Sequence, residues 1–318
     1  MLFTYGKMSI SKTILLIGGS GFLGRNITNT LLTDCHKLIV LTRNRKNALD
    51  IFPNHKKIEF IEAVLSDIDE ITEIIDRLNV DIVMHLAAGL IPSSDQEDFS
   101  EELTHIVLPT FKLLHILAQK KIKIIFFSSA GTVYGRHKNL ITEKTELNPL
   151  NYYGSSKLLI EQHILLLSRM AGLIYVIVRP SNVYGKCGVI NKQQGFIEVT
   201  VEKMLKGESI EIWGSGKQTR DFIHISDLCS IVGEIVSHDI KNEIFNVAYG
   251  KSYSLLQIIE ILEKILNVKS SLVFYSKRKV DVEHVKFDIS YIKSSLNYQP
   301  LGINDGIEIF VSNCKNKI

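Results

Sequence analysis

The sequence predicts a doubly wound, mostly parallel α/β sheet followed by a smaller, interrupted C-terminal α/β lobe. Three observations carry this. Short apolar or β-branched runs alternate with longer amphipathic stretches through the first 180 residues, a glycine-rich turn directly follows the first run, and the alternation loosens after Pro180. Alternating strand and helix patterns place parallel strands in one sheet with helices on both faces.

The strand runs are "TILLIGG" (13–19), "KLIVLTR" (37–43), "IEFIEA" (58–63), "DIVMHLA" (81–87), "IKIIFFSS" (122–129) and "IYVIVRP" (174–180). They are largely apolar throughout rather than alternating, as strands covered on both faces should be. Helical patterns lie between them over 22–33, 68–78 and 101–120, with Pro109 placed to kink the last. Past Pro180, strand-like "SIEIWG" (209–214), "EIFNVAYG" (243–250) and "SLVFYS" (271–276) accompany a helix at 254–266. This lobe is expected to close over the C-terminal edge of the sheet. No internal repeat, low-complexity tract or long linker divides the chain.

At 318 residues the chain has room for two domains, or one large domain with an appended lobe. Its 45% hydrophobic and 22% charged content is ordinary for a globular protein, and a net charge of +3 makes no electrostatic case for nucleic acid or a membrane surface. No apolar run approaches the roughly 20 residues of a spanning helix, and "MLFTYGKMSISK" lacks the plan of a signal peptide. Cys35, Cys187, Cys229 and Cys314 form no C-x-x-C pair. Neither structural zinc nor a disulfide framework is therefore expected, and the reducing cytoplasm is the expected compartment.

"GGSGFLG" places Gly18, Gly21 and Gly24 between the first strand and the first helix. Glycines there let the chain turn tightly and let a pyrophosphate approach backbone N–H groups at the helix N-terminus, so a Rossmann-type dinucleotide site is expected. The second strand ordinarily ends in an acidic residue for the ribose 2′-hydroxyl. Here "LTRNRKN" supplies Thr42, Arg43 and Asn44 instead. Guanidinium in place of a carboxylate suits a 2′-phosphate and leans towards NADP(H), with NAD the alternative. After the third strand, Asp67 is a candidate acceptor for the adenine amino group, or a cap for the following helix.

In "NYYGSSK" (151–157), Tyr153 and Lys157 stand four residues apart and share a helix face, whereas Tyr152 meets only Ser156. A phenol beside an ammonium has its ionised form favoured and serves as a proton acceptor and donor nearer neutral pH.

"GGSGFLG", "DIVMHLAA", "FFSSAGTVYG", "YYGSSK", "VRPSNVYG", "WGSGKQTRDFIHISDL" and "FDISYIKSSLNYQP" occur in an order and spacing that resemble the extended short-chain dehydrogenase/reductase family. The likeness is to its nucleotide-sugar epimerase/dehydratase branch and runs from Thr13 to about Gly306. It implies a nicotinamide cofactor on Gly18, Gly21, Phe22, Leu23 and Gly24, the strand tip Thr42–Asn44, Asp67, and Leu86, Ala87 and Ala88 after the fourth strand. It implies Tyr153 as acid/base, with Lys157 on the nicotinamide ribose lowering the tyrosine pKa. Ala130 stands where many relatives carry a third catalytic hydroxyl; Ser129 is the nearest substitute and Thr132 the second. Ile106 stands where relatives often have Asn. The resemblance also implies Asn182, Arg220, Arg278 and Asp281 on a nucleotide-diphosphate sugar. Asp221 and Asp227 are expected to support the domain junction, and His85 to be structural.

The implied division is a dinucleotide-binding domain, 11–180 plus about 223–249, and a nucleotide-sugar lobe, 181–222 plus 250–318. The implied assembly is a homodimer through helices 101–120 and 153–171. The activity expected is a nucleotide-sugar 4-epimerase of the UDP-hexose type, or alternatively an NADPH-dependent reductase of a nucleotide-4-keto-6-deoxysugar. A 4,6-dehydratase is disfavoured because Ala130-Gly131-Thr132 lacks that branch's polar pair.

Overall fold

The computed structural model describes residues 11–33, 37–52, 56–185, 195–277 and 282–315. The first strands are β1 (Thr13–Ile17), β2 (Lys37–Thr42), β3 (Ile58–Glu62), β4 (Ile82–His85), β5 (Lys123–Phe127) and β6 (Tyr175–Pro180). The later ones are β7 (Asn182–Tyr184), β8 (Ile210–Trp213), β9 (Thr219–His224), β10 (Glu243–Val247), β11 (Ser252–Ser254) and β12 (Leu272–Tyr275). The helices begin with α1 (Phe22–Thr33), α2 (Arg45–Ile51), α3 (Ile68–Leu78), α4 (Gln96–Glu102), α5 (Leu108–Lys120), α6 (Ala130–Val133) and α7 (Tyr152–Ala171). They continue with α8 (Phe196–Lys206), α9 (Ile225–Ser237), α10 (Leu255–Leu266), α11 (Ser290–Ser295) and α12 (Ile303–Lys315).

The large sheet runs β10-β6-β5-β4-β1-β2-β3 and is parallel throughout. Its strand order reverses between β1 and β4, and ligands of open α/β sheets bind beyond the strand C-termini at such a switch point. Side chains alternate across each strand. Ile14 and Leu16 of β1 therefore join a core with α1 and α9 on one face, while Leu15 and Ile17 join a core with α3, α5 and α7 on the other. The smaller lobe packs α8, α10 and α12 around Ile197, Ile212, Ile258 and Phe310. It carries a three-stranded sheet, β11-β9-β7, and the parallel pair β12-β8. The α11 segment, which the sequence grouped with this lobe, instead buries Ile292 and Leu296 in the larger core.

Pro109 behaves differently from expectation. The helix it was expected to kink begins earlier, as α4, and passes through a π-helical turn, Leu103–Val107, before continuing as α5 with Pro109 in its first turn. The Leu108 N–H bonds back five residues to Leu103 O. Pro109 follows directly, with no N–H to contribute, so the proline sits where it is tolerated.

Candidate active site

The first βα turn has the tight packing its glycines predict. Gly18 has φ +85°, and a Cβ there would fall 2.8 Å from the Ala87 amide nitrogen. A Cβ on Gly24 would lie 2.5 Å from the Gly18 carbonyl oxygen and from Gly19 Cα. The β1–α1 turn therefore rests against the loop after β4 that contains Leu86, Ala87 and Ala88. No acidic residue stands in the first turn of α1, which begins Phe22-Leu23-Gly24. A cradle too close-packed for side chains, at a helix start with no opposing carboxylate, fits a dinucleotide pyrophosphate.

The β2 tip is less open than its sequence implies. The Thr42 hydroxyl exchanges hydrogen bonds with the Asn44 backbone, at 3.2 Å from its N–H and 3.1 Å to its carbonyl. The Asn44 side chain accepts from Asn47 N and caps α2. Arg43 is exposed. Glu62, paired in register with Thr42 at the end of β3, accepts from Arg45 N at 3.1 Å. A carboxylate thus reaches the tip after all, from the neighbouring strand. Asp67 caps α3 by accepting from Glu70 N at 3.2 Å, the second of its two expected roles.

At the other side of the switch point, β5 delivers Ser129 and α7 delivers Tyr153 and Lys157. Asn151 caps α7 by accepting from Gly154 N at 2.8 Å. Gly154 lets the first turn of α7 press on the loop after β5: a Cβ there would sit 2.8 Å from the Thr132 carbonyl oxygen and 2.9 Å from Pro149 Cβ. This contact brings Tyr153 beside Ser129, whose hydroxyl favours the ionised form of the phenol. Ser129 is the N-cap of α6, yet its side chain makes no capping bond and stays available. Thr132 turns its hydroxyl back to Ser129 O at 3.5 Å. Of the two candidate hydroxyls, that of Ser129 acts on the tyrosine.

Lys157 is 2% exposed and donates to Ala87 O at 3.3 Å, linking the helix to the cradle loop. Its Nζ lies 5.7 Å from the Tyr153 ring centroid. The expected lowering of the tyrosine pKa is not found among the protein's own groups. Burial, and then the Glu102 carboxylate, push Tyr153 up to about 12, against the Ser129 hydrogen bond. Burial penalises the phenolate more than its surroundings favour it. Burial lowers Lys157 to about 8, opposed by Glu102 and Glu161.

Glu102 itself was not singled out in the sequence, where a carboxylate near a helix start reads as surface. It is 3% exposed. The only local hint was its place one and two turns before Ile106 and Thr110 on the inward line of the same helix. His85 is fully buried and bonds Thr110 Oγ1 at 2.9 Å through Nε2. Burial and then Lys157 lower it to about 3, so it stays neutral and structural. Tyr152 stacks on Phe99 at 5.0 Å and helps bind α4 to α7.

On the lobe side, Asn182 Nδ2 donates to Asp221 O at 2.8 Å. Its Oδ1 and the Ser129 hydroxyl both lie 3.8 Å from where a Gly131 Cβ would be, so the two side chains flank Gly131. Arg220 donates to the carbonyls of Thr219 and Val282, at 2.9 and 2.7 Å. Arg278 and Asp281 lie outside the described residues. Asp221 is fully buried and accepts from Ser181 Oγ, Tyr249 N and Gly250 N at 2.6, 2.8 and 2.7 Å. Asp227 accepts from Leu301 N at 3.0 Å. Both hold segments together, as expected of junction residues.

Residues 14–248 match the model of the NAD dependent epimerase/dehydratase family. The chain belongs to that family. Among members of known sequence, it is 33% identical to the Methanocaldococcus jannaschii protein named "Putative UDP-glucose 4-epimerase", over 95% of this chain and 98% of that one. It is 28% identical to the dTDP-4-dehydro-6-deoxyglucose reductase of Escherichia coli, over 96% and 98% of the two chains. Among solved structures of the epimerase/dehydratase fold, the UDP-glucose 4-epimerase of Thermotoga maritima with UDP-glucose superposes with a TM-score of 0.88. It is 24% identical and covers 96% of this chain and 99% of its own. An enzyme with a parallel, Rossmann-like sheet and a nicotinamide cofactor is thereby established. Among the described residues, no helix is long and apolar enough to cross a membrane.

Proposed function

We propose that this enzyme is a nucleotide-sugar 4-epimerase of the UDP-hexose type. The observation that carries the reading is the Lys157–Ala87 link to the glycine cradle at 3.3 Å, with the same ammonium 5.7 Å from the Tyr153 ring and Ser129 acting on the phenol. This supports a proton-handling phenol beside the glycine cradle. Bound NAD supplies the acceptor and donor of the C4 hydride. The chain handles the proton: Tyr153 takes it from the C4 hydroxyl as the hydride leaves, and returns it when the hydride comes back to the other face of the transient ketone. Ser129 orients the phenol and the sugar oxygen, and Lys157 holds positive charge behind them. Arg220 and Arg278 are the proposed diphosphate clamp, with Asn182 on the diphosphate sugar and Asp281 on the nucleoside ribose.

The cofactor we infer is NAD. The family is NAD dependent, Thr42 and Asn44 spend their side chains on the turn, and the Glu62 carboxylate would oppose a 2′-phosphate. Tyr153→Phe should keep NAD binding and lower turnover of UDP-glucose by about 10²–10⁴-fold, the usual range for a lost acid/base group. Turnover at the wild-type rate would overturn the mechanism.

One observation favours a second reading, a 4-ketoreductase: Arg43 and Arg45 are both exposed at the β2 tip, in a chain with a whole-length reductase relative. A reductase must exchange its cofactor every turnover. Epimerisation without added cofactor supports the first reading; a strict requirement for NADPH supports the second.

The assembly proposed is a homodimer through α5 and α7. Leu108, Leu159, Leu166 and Met170 on these helices are exposed, Met170 by 74%. A monomeric mass by light scattering would refute it.

A further inference from the structure

Glu102 is a buried carboxylate that this mechanism leaves unused. Its Oε2 accepts from Gly89 N at 2.8 Å, while Oε1 is buried without a hydrogen-bond partner. Gly89 accommodates it: a Cβ there would fall 2.8 Å from Oε2. Two residues earlier in the same loop, Ala87 O takes the Lys157 ammonium at 3.3 Å. Opposite charges from α4 and α7 therefore grip the Ala87–Gly89 loop, which in turn rests against Gly18. The Phe99–Tyr152 stack fixes the two helices to each other.

We propose that Glu102 is a positioning residue for the reaction: from α4 it holds the Ala87–Gly89 loop opposite Lys157 and keeps a buried carboxylate on the far side of that loop from the lysine. The proposal rests on the reading of Tyr153 and Lys157 as the proton-handling pair. The ionisable groups around them are Glu102 from α4, Glu161 from α7 and His85 from β4, and His85 stays neutral. Glu102 is thus the carboxylate that acts on both members. A buried negative charge favours the protonated form of each neighbour. Burial raises the pKa of Glu102 itself, while the Gly89 N–H and then Lys157 are the leading opposing effects.

The consequence is specific. If the active form is the phenolate of Tyr153 beside a protonated Lys157, the profile levels off at the lower value, that of Lys157, and falls at the higher, that of Tyr153, and Glu102 holds both limbs at higher pH. Together they are apparent values of a coupled set. Glu102→Gln keeps the shape and a carbonyl acceptor for Gly89 N–H but removes the charge. It should move both limbs down by about 1 pH unit. Glu102→Asp, which keeps the charge, should leave the limbs near their wild-type positions.

The test measures kcat/KM against pH with UDP-glucose and NAD for wild type, Glu102→Gln and Glu102→Asp. In parallel, the ultraviolet titration of the Tyr153 phenol is read as the difference from Tyr153→Phe in each background, with NAD bound. A downward shift of both limbs and of the phenol titration in Glu102→Gln alone supports the proposal. Uniform loss of rate with unmoved limbs, or an unmoved phenol titration, overturns it and leaves Glu102 a packing residue. Full turnover in Tyr153→Phe overturns the underlying reading, a result separable from the other two.

Discussion

Gly154→Ala tests how the active site is assembled, because the substitution touches no reacting atom. The new methyl would lie 2.8 Å from Thr132 O and 2.9 Å from Pro149 Cβ, with the peptide carbon of Thr132 at 3.1 Å. These neighbours are backbone and a proline ring, so none swings aside as a flexible side chain would. Moving the methyl out to an ordinary contact at 3.4 Å takes a displacement of about 0.6 Å between the first turn of α7 and the loop after β5. Alanine offsets part of the cost by its better helix propensity, at most about 1 kcal/mol. Overpacking of this kind costs about 1–3 kcal/mol, so the net destabilisation should be about 0–2 kcal/mol. The rate should suffer more. Ser129 and Tyr153 stand on the two segments that must separate, and a misplacement approaching 1 Å lowers kcat by about 10–100-fold. NAD affinity should change little, since Gly18, Gly21 and Gly24 are on the far side of the Ala87 loop. The assay pairs urea unfolding with kcat and with quenching of protein fluorescence by NADH. Wild-type kcat in a folded Gly154→Ala enzyme would refute the view that this glycine sets the Ser129–Tyr153 geometry.

Three further expectations follow from buried or cross-strand charges. Glu62→Gln should tighten NADPH about 5-fold relative to NADH, since it removes a like charge worth about 1 kcal/mol from the β2 tip; direct binding by cofactor fluorescence checks it, and an unchanged ratio counts against a role for Glu62. Arg179 and Glu161 form a buried pair, at 2.5 Å between Arg179 Nη2 and Glu161 Oε2. Arg179→Met should cost about 3–5 kcal/mol by denaturant unfolding, because it strands a carboxylate in the core. Asp227 is raised by burial to about 6 from an ordinary 3.8. Its folded form holds the proton that the unfolded chain releases, so its stabilising contribution is full below about 4 and is lost as pH rises to about 6. Asp227→Asn lacks that dependence. Its stability relative to wild type should therefore improve by about 1–2 kcal/mol between pH 4 and 7, after discounting for solvent screening; a parallel pair of stability curves would contradict this.

The sequence by itself determined what local backbone geometry controls. Apolar strand runs, helix periods and their alternation foretold the parallel sheet, because side-chain period and burial are properties of each segment. The glycine spacing foretold the cradle, because only glycine permits the close approach that the Gly18–Ala87 and Gly24–Gly18 contacts require. The four-residue interval chose Tyr153 over Tyr152, because one helical turn carries both Tyr153 and Lys157 on one face. What the tertiary structure decided were relations between segments far apart in the chain. Ser129 comes to act on the phenol because the first turn of α7 docks on the loop after β5 at Gly154. Glu62 reaches a site read from β2 because β3 lies beside it in register. Glu102 and Lys157 come to hold the same loop because the chain after β4 offers Gly89 N–H to one and Ala87 O to the other. The direction of the tyrosine's pKa also belongs to this second kind. Lysine spacing predicts a favoured phenolate, but burial and a carboxylate brought from another helix outweigh an ammonium whose hydrogen bond goes to Ala87.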